Sequence, residues 1–364
     1  MGLGFLLLAG GTRALEFQTS TWSLVCVDPR TREVAVAGAS CVQDVSIIAS
    51  TIKNVGAAAT QALYSSTNKS RVEQRMLAGD APQAIIDTVN MLDSTPQVRQ
   101  YGVATLAGGV AHFTGTSTAA WSGAVSAPWV TVQGNILQGA AVVNDALAAF
   151  QNPNVPLVDR LVGGLQAGQV AGGDTRCTFG ADSAFIRIMR ADDIATFYCD
   201  LKVTSGPGGA TSDPIAALAQ QVASWKQARA SQVDRWTSTV SAAPATIPPD
   251  GTTSALITIT LRNPGGGALT GQAVTLAGQG VGTISPVVEQ GAGVYTATVT
   301  SVSPGQDQFT AQSGGVSLGD RPTVVYGSGV PQSSGGGGGG CGLLGLELLL
   351  LALVLTNKTN RLIC

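Results

Sequence analysis

The chain has 364 residues, of which 12% are charged, and its formal net charge is −2. No basic stripe is available to displace counterions from phosphates, so a nucleic-acid partner is not expected. With 47 glycines and 5% aromatics, a core would rest on Val, Ile, Leu and Ala.

Residues 1–14 read MGLGFLLLAGGTRA, a short apolar run followed by small residues. This is a short secretory signal pattern with cleavage expected after Ala14 and Thr12 at position −3. Residues 1–20 are therefore read as signal peptide plus a short N-terminal extension. From Thr21, TWSLVCVD and VAVAGASC flank the turn-like PRTRE and predict a β-hairpin. Residues 68–92 predict helix, broken at Gly79, with Ile85, Val89 and Leu92 among the apolar residues of its second part. Strand-like YGVATL, GVAHFTG and WSGAVSAPWVTVQGN follow, the last bent at Pro128, then helices near 139–151 and 156–168. SAFIRIMR and IATFYCDLKV form a second predicted hairpin. Asp213-Pro214 opens a long predicted helix whose apolar series Ile215, Leu218, Val222, Trp225, Val233 and Trp236 is interrupted by Arg229. Strands, paired helices, strands and a helix in that order suit an α+β layered domain over 21–238.

The composition changes at SAAPATIPPDG (241–251), and short strands with glycine turns continue to Tyr326. This predicts an all-β sandwich over 239–327, then a Gly/Ser linker over 328–340. The end, 341–364, has an apolar stretch of 14 residues (342–355) holding Glu347, then Lys358 and Arg361. That stretch is short for a spanning helix. A glycine run ending in Cys341, an apolar run and a basic end resemble the tripartite C-terminal sorting signals of Gram-negative bacteria, especially the Cys-containing myxobacterial type. The resemblance implies cleavage near the motif, lipidation of Cys341, and an exported protein held at the cell surface or outer membrane through its tail.

None of the six cysteines forms a CxxC pair, which disfavours a zinc ribbon or thioredoxin-like site. In an exported protein Cys177 and Cys199 are candidates for a disulfide, with buried reduced thiols as the alternative. With one histidine, His112, and dispersed cysteines, no metal or cofactor is expected. A G-x-S-x-G nucleophile elbow is also missing.

TWSLVCVDPRTREVAVAGASC, GAAATQA, FTG, VQGNIL and AGGDTRC, with the later SAFIRIMRADD and YCDLKV, together resemble a bacterial family known as domain of unknown function 1028. It is classed with the N-terminal-nucleophile (Ntn) hydrolases. The resemblance implies an αββα four-layer sandwich and cleavage of amide or peptide bonds, the substrate itself being unidentified. In that chemistry the first residue of the mature chain supplies a hydroxyl or thiol nucleophile, and its own α-amine, with a pKa near 8, is the base. Thr21 occupies the opening position. Ser40 and Cys41 lie where backbone amides would line an oxyanion site, and Asn135 is the side-chain amide donor for the oxyanion. Asp174 and Arg176 would orient substrate or pair with each other in a loop. Cleavage after Ala14 leaves six residues ahead of Thr21, and Gln18 at −3 suits signal peptidase poorly. Exposing the Thr21 amine therefore needs autoproteolysis; otherwise the domain keeps the fold without the chemistry.

PATIPPDGTTSALITITLRNPGGGALTGQAVTLAG, GAGVYTATVTS and FTAQ resemble bacterial immunoglobulin-like domains of the invasin/intimin group. They imply a spacer or adhesive module able to bind a surface ligand. The alternative to a hydrolase is then a non-catalytic adhesion or envelope-structural protein.

Overall fold

A computed structural model describes residues 16–19, 21–152, 155–191 and 197–327. The signal-like residues 1–14, the 328–340 linker and the sorting segment with Cys341 lie outside the described residues.

The first sheet contains β1 (Glu16–Thr19), and the hairpin β2 (Thr21–Asp28) and β3 (Glu33–Ser40) lies in the second. Its turn is closed by Asp28, whose carboxylate accepts from Arg30 N and Thr31 Oγ1. A short β4 (Ala49–Ile52) leads to β5 (Gly56–Ser65). Ser65 then caps α1 (Ser66–Leu77) by accepting from Asn68 N. After Gly79, at φ +85°, Pro82 opens α2 (Pro82–Leu92). The predicted strands follow as β6 (Arg99–Thr105), β7 (Gly109–Thr114), β8 (Gly123–Ala127) and β9 (Val130–Asn135). Then come α3 (Ala141–Phe150), α4 (Leu157–Val170), β10 (Ser183–Met189), β11 (Cys199–Val203) and α5 (Pro214–Gln227).

The first sheet has the order β1-β5-β6-β7 with β4 also on β5, and the second β11-β10-β3-β2-β9-β8. Alternation along each strand sorts the layers. Trp22, Leu24 and Cys26 point to α3, α4 and α5, whereas Val25 and Val27 face the other sheet. In the first sheet Tyr101 and Val103 meet α1 and α2, while Ala57, Ala59 and Ala104 face inward. The result is an αββα four-layer sandwich.

One helix is shorter than its sequence predicts. Asp213 caps α5 by accepting from Ile215 N and Ala216 N, but the helix stops at Gln227. Arg229 stacks on Trp225, and Val233 leaves the helical series to join the core of the second domain.

That domain is a β-sandwich. One sheet holds Thr239–Ala243, Ala255–Thr260, Val294–Thr300 and Thr283–Ile284, and the other Thr246–Ile247, Thr323–Tyr326, Gly305–Ser313 and Val274–Gly278. Ile257, Ile259, Tyr295, Phe309 and Tyr326 fill the space between them. Among the described residues no helix is long and apolar enough to cross a membrane.

The two domains meet at the β2–β3 turn. Arg190 is bound to both Glu33 and Asp234, all three buried, and Tyr198 donates to Asp234. Arg235 donates to Thr31 O, and Arg30 reaches Trp236 O and Asp320. Two carboxylates thus share one guanidinium. Burial, with the Asp234 charge adding to it, pushes Glu33 up to about 7 against the pull of Arg190. Burial alone would lower Arg190, but Glu33, Tyr198 and Asp234 outweigh it and hold it above the usual guanidinium range.

Candidate functional site

The inner faces of the two sheets change character along their length. Beside the β2–β3 turn the inter-sheet layer is apolar, with Val25, Val27, Val34, Val36 and Phe185. At the opposite end it is polar. Thr21, Ser23, Gln61, Gln100, Thr131, Gln133 and Asn135 are all buried there. Thr21 is flanked in the ladder by Ser40 on one side and Asn135 on the other, so the sheet brings together three of the residues singled out from sequence.

A chain of hydrogen bonds crosses this layer. Thr131 Oγ1 donates to Gln133 Oε1 at 3.1 Å, and Gln133 Nε2 to Ser23 Oγ at 2.6 Å. Ser23 Oγ donates to Gln61 Oε1 at 2.6 Å. Gln61 Nε2 then serves Gln100 Oε1 at 2.8 Å and the Thr21 carbonyl at 3.3 Å. Asn135 Nδ2 also donates to Gln100 Oε1, at 3.1 Å. Gly102 leaves the room this needs: a Cβ there would stand 2.2 Å from Gln133 Oε1.

Two side-chain oxygens in this layer are left over. Among the described residues, Thr21 Oγ1 and Asn135 Oδ1 are buried without a hydrogen-bond partner, on residues 0% exposed. An unpaired buried hydroxyl or amide oxygen costs about 1–3 kcal/mol. Backbone strain gathers in the same place. Ala62, next to Gln61, has φ +68°, and Ile136, next to Asn135, has φ +53°, where a β-branched residue is disfavoured.

The loop carrying Asp174 and Arg176 closes over this end. Arg176 holds Asp174 through Nε at 3.2 Å and Nη2 at 2.9 Å, so these two pair within the loop. Asp174 Oδ2 also accepts from Cys41 N at 3.0 Å, which commits that amide to the loop rather than to an oxyanion. Leu137 bridges Asp174, and Thr175 N donates to Ile136 O. The Cys41–Cys177 disulfide, with Cα atoms 5.7 Å apart, fastens the loop to the end of β3.

This pairing corrects the expectation of a Cys177–Cys199 bond. Cys199 lies on β11 opposite Ile188, five residues along β10 from Ser183, which pairs with Ser40. At ~3.3 Å per residue that is ~16 Å from the Cys41 end, far beyond the ~7 Å a disulfide spans. Cys199 and Cys26 are free, and burial pushes both thiols up to about 12. His112 is on the exposed side of the edge strand β7, and its partial burial lowers its pKa. A cavity of about 330 Å³ lined by Asp182, Ser205 and the loop to Pro214 sits at the Thr21 end, where Asp182 N donates to Ser40 O.

The network residues Ser23, Gln61, Gln100, Thr131 and Gln133 escaped sequence reasoning. Their signal is polar side chains two apart, T-x-S in β2 and T-x-Q-x-N in β9, which alternation alone assigns to an outer face.

Residues 21–218, more than half of the chain, match the sequence model of a family of unknown function, DUF1028. The chain belongs to the DUF1028 family. Residues 234–329 match domain 3 of invasin. A DUF1028 protein from Silicibacter pomeroyi is 26% identical with a TM-score of 0.50, over 56% of this chain and 88% of that one. An adhesin of Yersinia pseudotuberculosis is 31% identical over 26% of this chain and 28% of its own, with a TM-score of 0.25. No curated protein matches the chain.

Proposed function

We propose that this DUF1028 protein is displayed at the cell surface and carries a latent Ntn-type amidohydrolase, with Thr21 as nucleophile. The observation that carries this reading is Thr21 Oγ1, a fully buried hydroxyl with no partner among the described residues. It sits on a strand flanked by Ser40 and Asn135 and in a polar layer between two sheets. The match to invasin domain 3 supports a cell-surface location and a surface ligand for that module; export and tail anchoring with Cys341 belong to the same reading and rest on the terminal sequence patterns alone.

In the intact chain the Thr21 nitrogen is an amide and cannot act as a base. Attack by Thr21 Oγ1 on the Ser20 carbonyl carbon forms an ester and breaks the C–N bond, and the proton of the hydroxyl passes to the leaving nitrogen. Water then splits the ester, leaving a Ser20 carboxylate, a restored hydroxyl and a free α-amine on Thr21. That amine, with a pKa near 8, is the base for later rounds. One N–H of Asn135 is already held by Gln100, which orients the amide, and its other N–H is the donor for a developing oxyanion.

A non-catalytic adhesin is the second reading. It is favoured by β1, which runs into β2 from the opposite sheet and leaves Thr21 inside the chain with no exposure. Mass spectrometry of the mature N-terminus, with amide hydrolysis by wild type and Thr21→Ala, separates the two. A start at Thr21 and activity lost in a folded Thr21→Ala are expected. Hydrolysis by protein starting upstream of Thr21, or by Thr21→Ala, overturns Thr21 as the nucleophile, and no hydrolysis by protein that starts at Thr21 overturns the hydrolase in favour of the adhesin.

A further inference from the structure

On the hydrolase reading above, we propose that the substrate is an extended peptide seated as a strand along β5, in the place that β1 now fills. The pairing of Glu16–Thr19 is antiparallel, with Glu16 opposite Ser65, Phe17 opposite Tyr64, Gln18 opposite Leu63 and Thr19 opposite Ala62. Farther along the same edge of β5, β4 covers Gly56–Ala59. Between the two covers lie Thr60 and Gln61, and Gln61 Nε2 is the group that reaches the Thr21 carbonyl. The edge therefore delivers a strand to the nucleophile.

Covalent connectivity turns this into a statement about substrate. A cut before Thr21 leaves the chain up to Ser20 as an acyl group on Thr21 Oγ1. A substrate's acyl group forms its ester with the same oxygen, by the same exchange of a C–N for a C–O bond. The residues upstream of its scissile bond therefore leave the nucleophile in the direction β1 takes. Once β1 has gone, the edge of β5 that it pairs with is open to an incoming strand.

The side chains add a preference. Thr19 is 0% exposed and its Oγ1 donates to Ala62 O at 3.2 Å, while Gln18 points outward. The second residue before the scissile bond must be small and able to donate, and the third is unrestricted. Small free amides, which have no chain to pair, are poor substrates.

The test uses the full chain cut in front of Thr21, by its own processing or by removal of a leader that leaves Thr21 first. Four probes are compared: the aminocoumarin amides of acetyl-EFQTS, of acetyl-serine, and of the two pentapeptides carrying Trp in place of its threonine or its glutamine. The pentapeptide is expected to exceed acetyl-serine at least tenfold in kcat/KM. Trp at the threonine is expected to lose at least tenfold, and Trp at the glutamine less than threefold. Equal turnover of the pentapeptide and acetyl-serine, or indifference to Trp at the threonine, overturns the strand-seated substrate and leaves the hydrolase standing. No turnover of any probe, with no acylation of Thr21 by a small reactive acylating reagent, overturns the hydrolase and this inference with it.

Discussion

Removing the Cys41–Cys177 bond tests both the correction made at that pair and the closure of the Thr21 end. The bond spans a sequence separation of 136. Chain-entropy scaling, with a constant plus a term in the logarithm of loop length, puts the gain for such a loop at about 5 kcal/mol, and measured losses run at about 2–5 kcal/mol. Guanidinium unfolding of oxidised wild type, followed with and without dithiothreitol, should therefore show a loss of about 2–5 kcal/mol on reduction. The Cys41→Ala/Cys177→Ala double variant should begin at the reduced value and ignore the reductant. Cys199→Ala should keep its sensitivity and lose only a small buried group, about 1–2 kcal/mol. Wild-type unfolding indifferent to reductant, or a tryptic peptide linking Cys177 to Cys199, would rule out the Cys41–Cys177 pairing.

Thr21→Val removes an unpaired buried hydroxyl at nearly constant volume, and thermal unfolding should show it unchanged or stabilised by about 1 kcal/mol; a clear loss would reveal a partner for the hydroxyl. Gly102→Ala drives a Cβ into Gln133 Oε1 and should cost about 1–3 kcal/mol in chemical denaturation. Arg190→Met leaves Glu33 and Asp234 buried without their cation and should cost about 3–5 kcal/mol in the same assay. Glu33 has a folded pKa of about 7 above a reference of 4.5, so the folded state binds more protons between those values. Its contribution is present below about 4.5 and lost as pH rises through about 7, a decline that Glu33→Gln should flatten in a pH series of unfolding midpoints.

The hairpin β2–β3 is legible because its two runs are β-branched and continuous, as a strand buried on both faces requires. Helix starts are legible for a similarly local reason, since Asp213-Pro214 carries a cap and a fixed φ in adjacent residues. The end of α5 is not. Arg229 interrupts the apolar series, yet only the second domain, by taking Val233, decides that the helix stops at Gln227. The polar layer was hidden by the same alternation that revealed the strands. Ser23, Gln61, Gln100 and Gln133 carry no signal of burial until a second sheet is laid over them, whereas Asn135 entered through the family resemblance. The disulfide was hidden because pairing depends on which end of a strand each cysteine occupies. Cys41 follows the last residue of β3, whereas Cys199 stands at the far end of the neighbouring ladder.

The two ends of β2 are put to different uses, and this bears on why an adhesin-like module is joined to this sandwich. Asp28 and the turn after it hold the second domain through Arg30, Thr31, Glu33 and Arg190. Thr21 stands seven residues away, ~23 Å along the strand. A ligand or substrate approaching the Thr21 end meets the β1 strap, the Cys177 loop and the cavity by Asp182. The buried Arg190 cluster joins the module at the opposite end of the strand. The joint to the second domain thus leaves the Thr21 end of β2 on the opposite side, an orientation open to the hydrolase proposed above. The same orientation serves an adhesin just as well. The N-terminal cut, and not the architecture, is therefore what separates the two.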